Sequence, residues 1–132
     1  MNKERYLLDT CIIVNLFRGN DDYQRRIHGI GWKSCCTASA CLGELYAGAF
    51  KRGKESEFRC IEWLREKIPC LPFDQSAVTY GRVRALLEQQ GQRIEDMDII
   101  MASIAIDNDL TLVTGNSRHF SRIPGLKFMV WD

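Results

Sequence analysis

Apolar and polar positions follow one another along the chain in short blocks, each about as long as one secondary-structure element. Tyr6-Leu7-Leu8 is a brief apolar run behind the charged start Met1-Asn2-Lys3-Glu4-Arg5, and it stops at Asp9-Thr10, as a buried strand ending in a polar turn does. A helix is predicted from Cys11 to Arg18, closed by Gly19. A more polar one follows from Asp21 to Gly29, acidic at its start and basic toward its end, as the helix dipole favours. Ser34-Cys35-Cys36-Thr37-Ala38 carries no charge and reads as a second buried strand. Ser39 is placed to N-cap a helix reaching about Lys51, because Leu42, Leu45, Tyr46, Ala49 and Phe50 fall at i, i+3, i+4, i+7 and i+8. A further helix over Glu55 to Lys67 puts Phe58, Ile61, Leu64 and Ile68 on one stripe, and Cys70-Leu71-Pro72-Phe73 is a short extended piece.

The second half continues the alternation. Asp74 reads as the N-cap of a long helix with Phe73 as its hydrophobic staple, Val78, Val83, Leu86 and Leu87 on its apolar side, and Gly91 as its stop. Asp96-Met97-Asp98 leads into a nearly all-apolar helix, Ile99 to Ile106. Leu110 to Thr114 has the strongest strand pattern in the chain, followed by Gly115-Asn116, a short helical turn through Phe120 and a last strand near Phe128-Met129-Val130. Strands alternating with helices on short connections predict a three-layer α/β/α fold, doubly wound about a parallel sheet of four or five strands. With 132 residues, no linker and no internal repeat, residues 1–132 form one domain.

Composition narrows the function classes. Eighteen basic against seventeen acidic residues leave a net charge of +1, so any nucleic acid must be held by local basic patches. Lys51, Arg52 and Lys54 form one such cluster, and Arg82, Arg84 and Arg93 another; both are also compatible with plain solvated faces. No apolar run approaches a membrane span or an export signal, so a cytoplasmic protein is expected, with Cys11, Cys35, Cys36, Cys41, Cys60 and Cys70 as reduced thiols. There is no C-x-x-C pair and neither His28 nor His119 lies near a cysteine cluster, which argues against structural zinc. Trp32, Trp63 and Trp131 could stack on bases, although tryptophan in a small domain more often packs inside it.

In a doubly wound sheet the C-terminal ends of the strands share one edge, and ligands bind there. Asp9 ends the first strand, Asn116 follows the strand Leu110 to Thr114, and Asp98 opens a helix whose start lies at the same edge. Glu44 sits within the helix after the second strand, roughly 8 Å below the edge at about 1.5 Å per residue. Each residue has a structural alternative: an Asx-turn for Asp9, an N-cap for Asp98, a turn for Asn116 and a solvated surface position for Glu44, which lies opposite Leu42, Leu45 and Tyr46. Ala40, Ala47 and Gly48 leave the Glu44 side of its helix low and approachable. Three carboxylates gathered without matching cations call for a hard cation. Oxygen ligation selects Mg²⁺ or Mn²⁺, whose remaining ligands are commonly water and phosphate oxygens. Phosphodiester or phosphoanhydride chemistry is the expectation.

Leu8-Asp9-Thr10, Gly43-Glu44-Leu45-Tyr46-Ala47-Gly48, Asp98-Ile99-Ile100-Met101-Ala102-Ser103 and Val113-Thr114-Gly115-Asn116-Ser117-Arg118-His119-Phe120, in this order and spacing, resemble the PIN-domain nucleases, specifically the VapC toxins of toxin–antitoxin pairs. The likeness covers nearly the whole chain, including Arg122-Ile123-Pro124-Gly125-Leu126. It implies an Mg²⁺-dependent ribonuclease with Asp9, Glu44 and Asp98 as an acidic triad and Asn116 at a fourth, often acidic, position. It also implies a homodimer held inactive by an antitoxin, and a structured RNA target such as a tRNA. On that basis Asp9 and Asp98 ligate the principal metal, Glu44 binds it through water or orients the nucleophile, and Thr10, Thr114 and Asn116 place waters and phosphate oxygens. Arg118 is the expected phosphate contact, His119 a possible general acid, and Asp96 a supporting or capping carboxylate. Cys11 stands where the family often has Asn, and Ser103 interrupts a usual Ala-Ala pair. Two other classes compete: a non-catalytic partner-binding domain with a residual acidic pocket, and a phosphotransfer domain with Asp9 as nucleophile. The second lacks its usual further acid, because Cys11 occupies that place.

Overall fold

Leu7 and Leu8 are adjacent, both fully buried, and belong to different cores. Successive side chains of a strand face opposite ways, so a strand apolar at consecutive positions must be covered on both sides. This strand is β1 (Tyr6–Leu8). The computed structural model describes residues 4–132; the first three residues of the charged start lie outside the described residues. β1 forms the middle of a five-stranded sheet with β2 (Cys35–Ala38), β3 (Cys70–Leu71), β4 (Thr111–Thr114) and β5 (Lys127–Val130), in the order β3-β2-β1-β4-β5. Every pairing is parallel, with Leu7 opposite Cys36 on one side and Leu112 on the other.

Four helices cover one face: α1 (Thr10–Phe17), α2 (Asp21–Ile30), α3 (Ser39–Arg52) and α4 (Glu55–Lys67). Their Ile12, Ile27, Leu45 and Leu64 pack with Leu8 and Val113. Three cover the other: α5 (Ala77–Gln89), α6 (Asp96–Asp107) and α7 (Ser117–Phe120), whose Leu87, Ile99, Ile104 and Phe120 pack with Leu7 and Leu112. The expected three-layer α/β/α architecture is therefore the one observed. The chain winds outward from β1 to β3, then crosses back to lay β4 and β5 on the other side. The winding reverses between β1 and β4. There α1 leaves for one face and α7 for the other, and the parting connections open a crevice at the strand ends.

Several boundaries differ from the sequence expectation. Ser39 is the first residue of α3 and not its cap: β2 runs directly into the helix, with extended Ala38 at the junction and no side-chain capping bond. Asp74 does not cap α5. A single 3-10 turn, Asp74–Ser76, intervenes, tied by the Ser76 N–H to the Phe73 carbonyl at 2.7 Å. Phe73 still meets the helix, edge-on to Tyr80 at 5.5 Å. α6 begins at Asp96 and not Ile99, which puts Asp96 and Asp98 both in its first turn. Val78 and Phe50, expected on buried stripes, are 79% and 74% exposed, because Val78 falls on the side of α5 opposite Val83 and Leu87, and Phe50 falls beyond the arc that Leu45 and Ala49 bury on α3. Trp131 is buried edge-on against Tyr23, whose hydroxyl donates to the Trp131 carbonyl at 2.7 Å, so it presents no stacking surface to a base. Trp32 and Trp63 pack edge-to-face on each other at 5.3 Å.

One arginine of each basic cluster is committed to a carboxylate: Arg52 pairs with Glu57 at 2.6 Å, and Arg84 with Glu88 at 3.0 Å. All six cysteines are free thiols. Burial pushes the Cys35 thiol up to about 12 and the Cys36 and Cys41 thiols up to about 11, so all three pack as small apolar groups. No helix among the described residues is long and apolar enough to cross a membrane.

Phe120 is fully buried and is the apolar anchor of the four-residue α7. Phe120→Ala is expected to cost about 3–5 kcal/mol in urea unfolding, the range for emptying a buried aromatic site. A loss under about 1 kcal/mol would mean that α7 is held by its polar contacts instead.

Candidate active site

Asp9 ends β1 and caps α1. Its Oδ1 accepts the Thr10 N–H at 2.8 Å, the ordinary service of an aspartate at a helix start. Oδ2 accepts the Thr114 hydroxyl at 2.9 Å, so the last residue of β4 holds the carboxylate that follows β1 across the point where the winding reverses. Thr114 is fully buried, and its oxygen also accepts the Asn116 N–H at 3.2 Å. Thr10 donates its hydroxyl to Glu44 at 2.5 Å, linking an exposed glutamate of α3 to the start of α1. Asp98 Oδ2 lies 2.8 Å from His119 Nδ1, which joins α6 to α7. Asn116 Oδ1 accepts the Arg118 N–H at 3.2 Å, and its Nδ2 lies 3.3 Å from the same His119 nitrogen.

These residues surround a cavity of about 370 Å³ lined by Asp9, Thr10, Cys11, Glu44, Glu95, Met97, Asp98, Asn116 and His119. Four carboxylates face it and neither Lys nor Arg does. Asp9 feels this most, being only 8% exposed. Burial pushes its carboxyl above the usual range and the charges of Asp98 and Glu44 add to the effect, while the Thr114 hydroxyl and the Thr10 N–H oppose it.

Asp9, Thr10, Glu44, Asp98, Asn116 and His119 thus share one cavity, and Thr114 buttresses it from beneath. Asp96 and Arg118 do not line it. Asp96 Oδ1 turns toward α5, accepting the Tyr80 hydroxyl at 3.1 Å with Arg84 at 3.6 Å, so it ties two helices together. Arg118 is exposed and meets the site only through its backbone. Glu95 was not singled out from the sequence: as the N-cap of α6 it stands next to the third helical residue, Asp98, but only once the helix start is set at Asp96. Nor is the Glu44 face as open as its small residues imply. Arg52 folds over Gly48, where an added Cβ would come within 2.7 Å of its guanidinium.

The acids share the cavity without closing on a point. Among the described residues no three His, Cys, Asp or Glu side chains stand close enough to enclose a metal. Each is drawn to its own donor, Asp9 to Thr114, Glu44 to Thr10 and Asp98 to His119, and like charge keeps them apart. The donor set nevertheless suits a hard divalent cation. It is oxygen-rich, it has no competing Lys or Arg, and its space exceeds that of a bare ion, as Mg²⁺ requires when it keeps several waters. Cys11 Sγ, also at the cavity, accepts the Gly115 N–H at 3.4 Å. Burial pushes that thiol up, away from the thiolate a soft metal would need.

The PIN domain family model matches residues 6–126. The tRNA(fMet)-specific endonuclease VapC of Shigella flexneri is 31% identical over 130 residues, covering 97% of this chain and 98% of that protein. Ribonuclease VapC2 of Rickettsia felis is 32% identical over 131 residues, covering 96% and 98%. The crystal structure of VapBC2 from Rickettsia felis bound to a DNA fragment from its promoter superposes with a TM-score of 0.85 at 32% identity, covering 96% of this chain and 98% of that one. The chain belongs to the PIN-domain family, and within it to the VapC ribonucleases.

Proposed function

We propose that this chain is the toxin of a toxin–antitoxin pair, an endoribonuclease dependent on Mg²⁺ or Mn²⁺ that hydrolyses phosphodiester bonds of a structured RNA, a tRNA, in the cytoplasm. The observation that carries the reading is the cavity at the winding reversal, with Asp9, Glu44 and Asp98 on its walls and no Lys or Arg among them. The named substrate of the Shigella relative supports tRNA as the class of target. The VapBC complexes among the structural neighbours support a cognate antitoxin that holds the toxin inactive. The toxin itself is proposed to act as a homodimer.

A divalent cation, when bound, supplies a water acidic enough to attack at neutral pH and offsets charge at the scissile phosphate. Asp9 and Asp98 are the residues that would hold that cation. Thr114 and the Thr10 N–H keep Asp9 from turning away, one bond on each oxygen. Glu44, steadied by Thr10, orients the water that attacks phosphorus. Asn116 is exposed, and its amide can donate to a phosphate oxygen without adding to the cavity's negative charge. One water is consumed: its oxygen joins phosphorus, the P–O bond to the departing ribose breaks, and that oxygen leaves with a proton.

With Mn²⁺ and total tRNA, Asp9→Asn and Asp98→Ala are expected to lower cleavage by about 100-fold or more, and EDTA to stop it in the wild type. Equal cleavage by wild type and Asp9→Asn would identify a contaminating nuclease and leave a partner-binding domain as the better reading. In cells, wild type should arrest growth unless the antitoxin is co-expressed, and Asp98→Ala should not arrest it.

Stability offers a check independent of turnover. In EDTA near neutral pH, Asp9→Asn should melt above wild type, since it removes a buried charge that burial disfavours. A carboxyl whose pKa is raised on folding contributes stability when protonated and loses it as pH rises through the folded value, so the margin should shrink on acidification. Mn²⁺ at about 100 times its Kd should add about 2.7 kcal/mol to wild type and much less to Asp9→Asn, measured by thermal melts.

A further inference from the structure

Among the polar contacts of the cavity, the one between Asp98 and His119 was least expected from sequence and is among the shortest, at 2.8 Å. Resting on the divalent-cation reading above, we propose that His119 is a positioning residue: its Nδ1–H grips Asp98 Oδ2 and so sets how the other oxygen, Oδ1, is presented to the cation.

The direction of the bond follows from its surroundings. Nδ1 has two neighbours, Asp98 Oδ2 at 2.8 Å and Asn116 Nδ2 at 3.3 Å. The Asn116 amide is oriented by the Arg118 N–H on its Oδ1, so Nδ2 is the group it turns to the ring, and Nδ2 can only donate. Two donors cannot satisfy each other, and the ring nitrogen must choose between receiving a long bond from an amide and giving a short one to a carboxylate. The charge-assisted bond is the stronger by about twofold, so Nδ1 carries its hydrogen and gives it to Asp98. That hydrogen is present whether or not Nε2 is protonated, and the role does not depend on ring charge.

The placement of the ring fits orientation. His119 precedes fully buried Phe120, so its backbone is anchored to the core, while its own side chain is 30% exposed. The ring stands between two cavities: the acidic one, and a neighbour of about 550 Å³ lined by Arg93, Ile94, Glu95, Asp96 and His119. Asp98 is 17% exposed at the side chain, and no Lys or Arg lines its cavity to hold it in place of the ring. Without His119 the Asp98 carboxylate is free to rotate toward water and away from Asp9. Groups that orient a metal-binding carboxylate in this way are commonly worth 10- to 100-fold in metal affinity.

The two ring nitrogens can be separated by substitution. Asparagine places its amide nitrogen near the position of Nδ1, whereas glutamine reaches toward that of Nε2. Mn²⁺ titration of the purified full chain, read by electron paramagnetic resonance of the free ion, should give His119→Asn an affinity close to wild type. His119→Gln and His119→Ala should be weaker by about 10- to 100-fold, with circular dichroism melts verifying that each is folded. Wild-type affinity in folded His119→Ala, or a glutamine variant that binds better than the asparagine one, would overturn the proposal. A wild-type chain that binds no Mn²⁺ would overturn the cation reading along with it. Binding by wild type that is lost in Asp98→Asn but unchanged in His119→Ala would overturn the role of His119 alone.

Discussion

The site depends on a charge placed where the fold gives it no partner charge. Asp9 is the one carboxylate in the buried set of the described residues, and no Lys or Arg is buried with it. Isolating an ion in this way costs on the order of several kcal/mol, and the hydrogen bonds it accepts from the Thr10 N–H, the Thr114 hydroxyl and, weakly, the Cys11 thiol compensate only in part. Capping α1 would be served as well by serine or asparagine at no such cost. The architecture adds to the burden, because reversing the winding between β1 and β4 brings Asp98 and Glu44 to the same crevice. Both raise the cost of ionising Asp9 further. On the proposed reading a cation would relieve all three carboxylates at once, so the feature least favourable to folding would be the one that gives the cavity its affinity.

How far the chain could be read without coordinates follows from which signals are periodic. β1 was legible because two adjacent apolar residues between charged blocks leave few alternatives to a strand buried on both faces, and once β1 and β4 were set, Asp9 and Asn116 were bound to meet at the strand ends. The facing of Asp96 and the presence of Glu95 at the cavity were not legible because the entry to α6 has no strong cap: Glu95 makes no side-chain capping bond, and the apolar run begins only at Ile99. Until the helix is extended back to Asp96, residues 95–98 have no helical phase, and so nothing says which of their acids faces the cavity. The facing of His119 was not legible for a related reason, since a four-residue helix has no periodicity from which to infer one. Glu44 shows that exposure and membership of a site are compatible: the helical wheel correctly put it in solvent, yet Thr10 reaches it from another element.

The two departures from the family pattern are each absorbed by one local bond. Cys11, where asparagine is common, receives the Gly115 N–H and so still joins α1 to the loop after β4. Ser103, buried in α6, returns its hydroxyl to the Ile99 carbonyl one turn back at 2.7 Å and needs no partner from another element. Neither change introduces an unsatisfied group. Asn116 differs in kind, because a neutral side chain at an often acidic position lowers the negative charge at the cavity while its oxygen starts α7 by accepting the Arg118 N–H.

The three carboxylates are each held by a donor from a different element: Asp9 by Thr114 of β4, Glu44 by Thr10 of α1, and Asp98 by His119 of α7. None of these donors is a lysine or an arginine. A permanent cation would orient a carboxylate equally well, but it would also neutralise it and compete with a metal for its oxygens. Hydroxyls and a ring N–H orient without neutralising. The walls of the cavity are therefore held in place with no lysine or arginine among the donors. A basic residue in place of Thr10 or His119 would set a positive charge against the carboxylate it holds and compete with a cation for its oxygens, whereas fully buried Thr114 leaves no room for one.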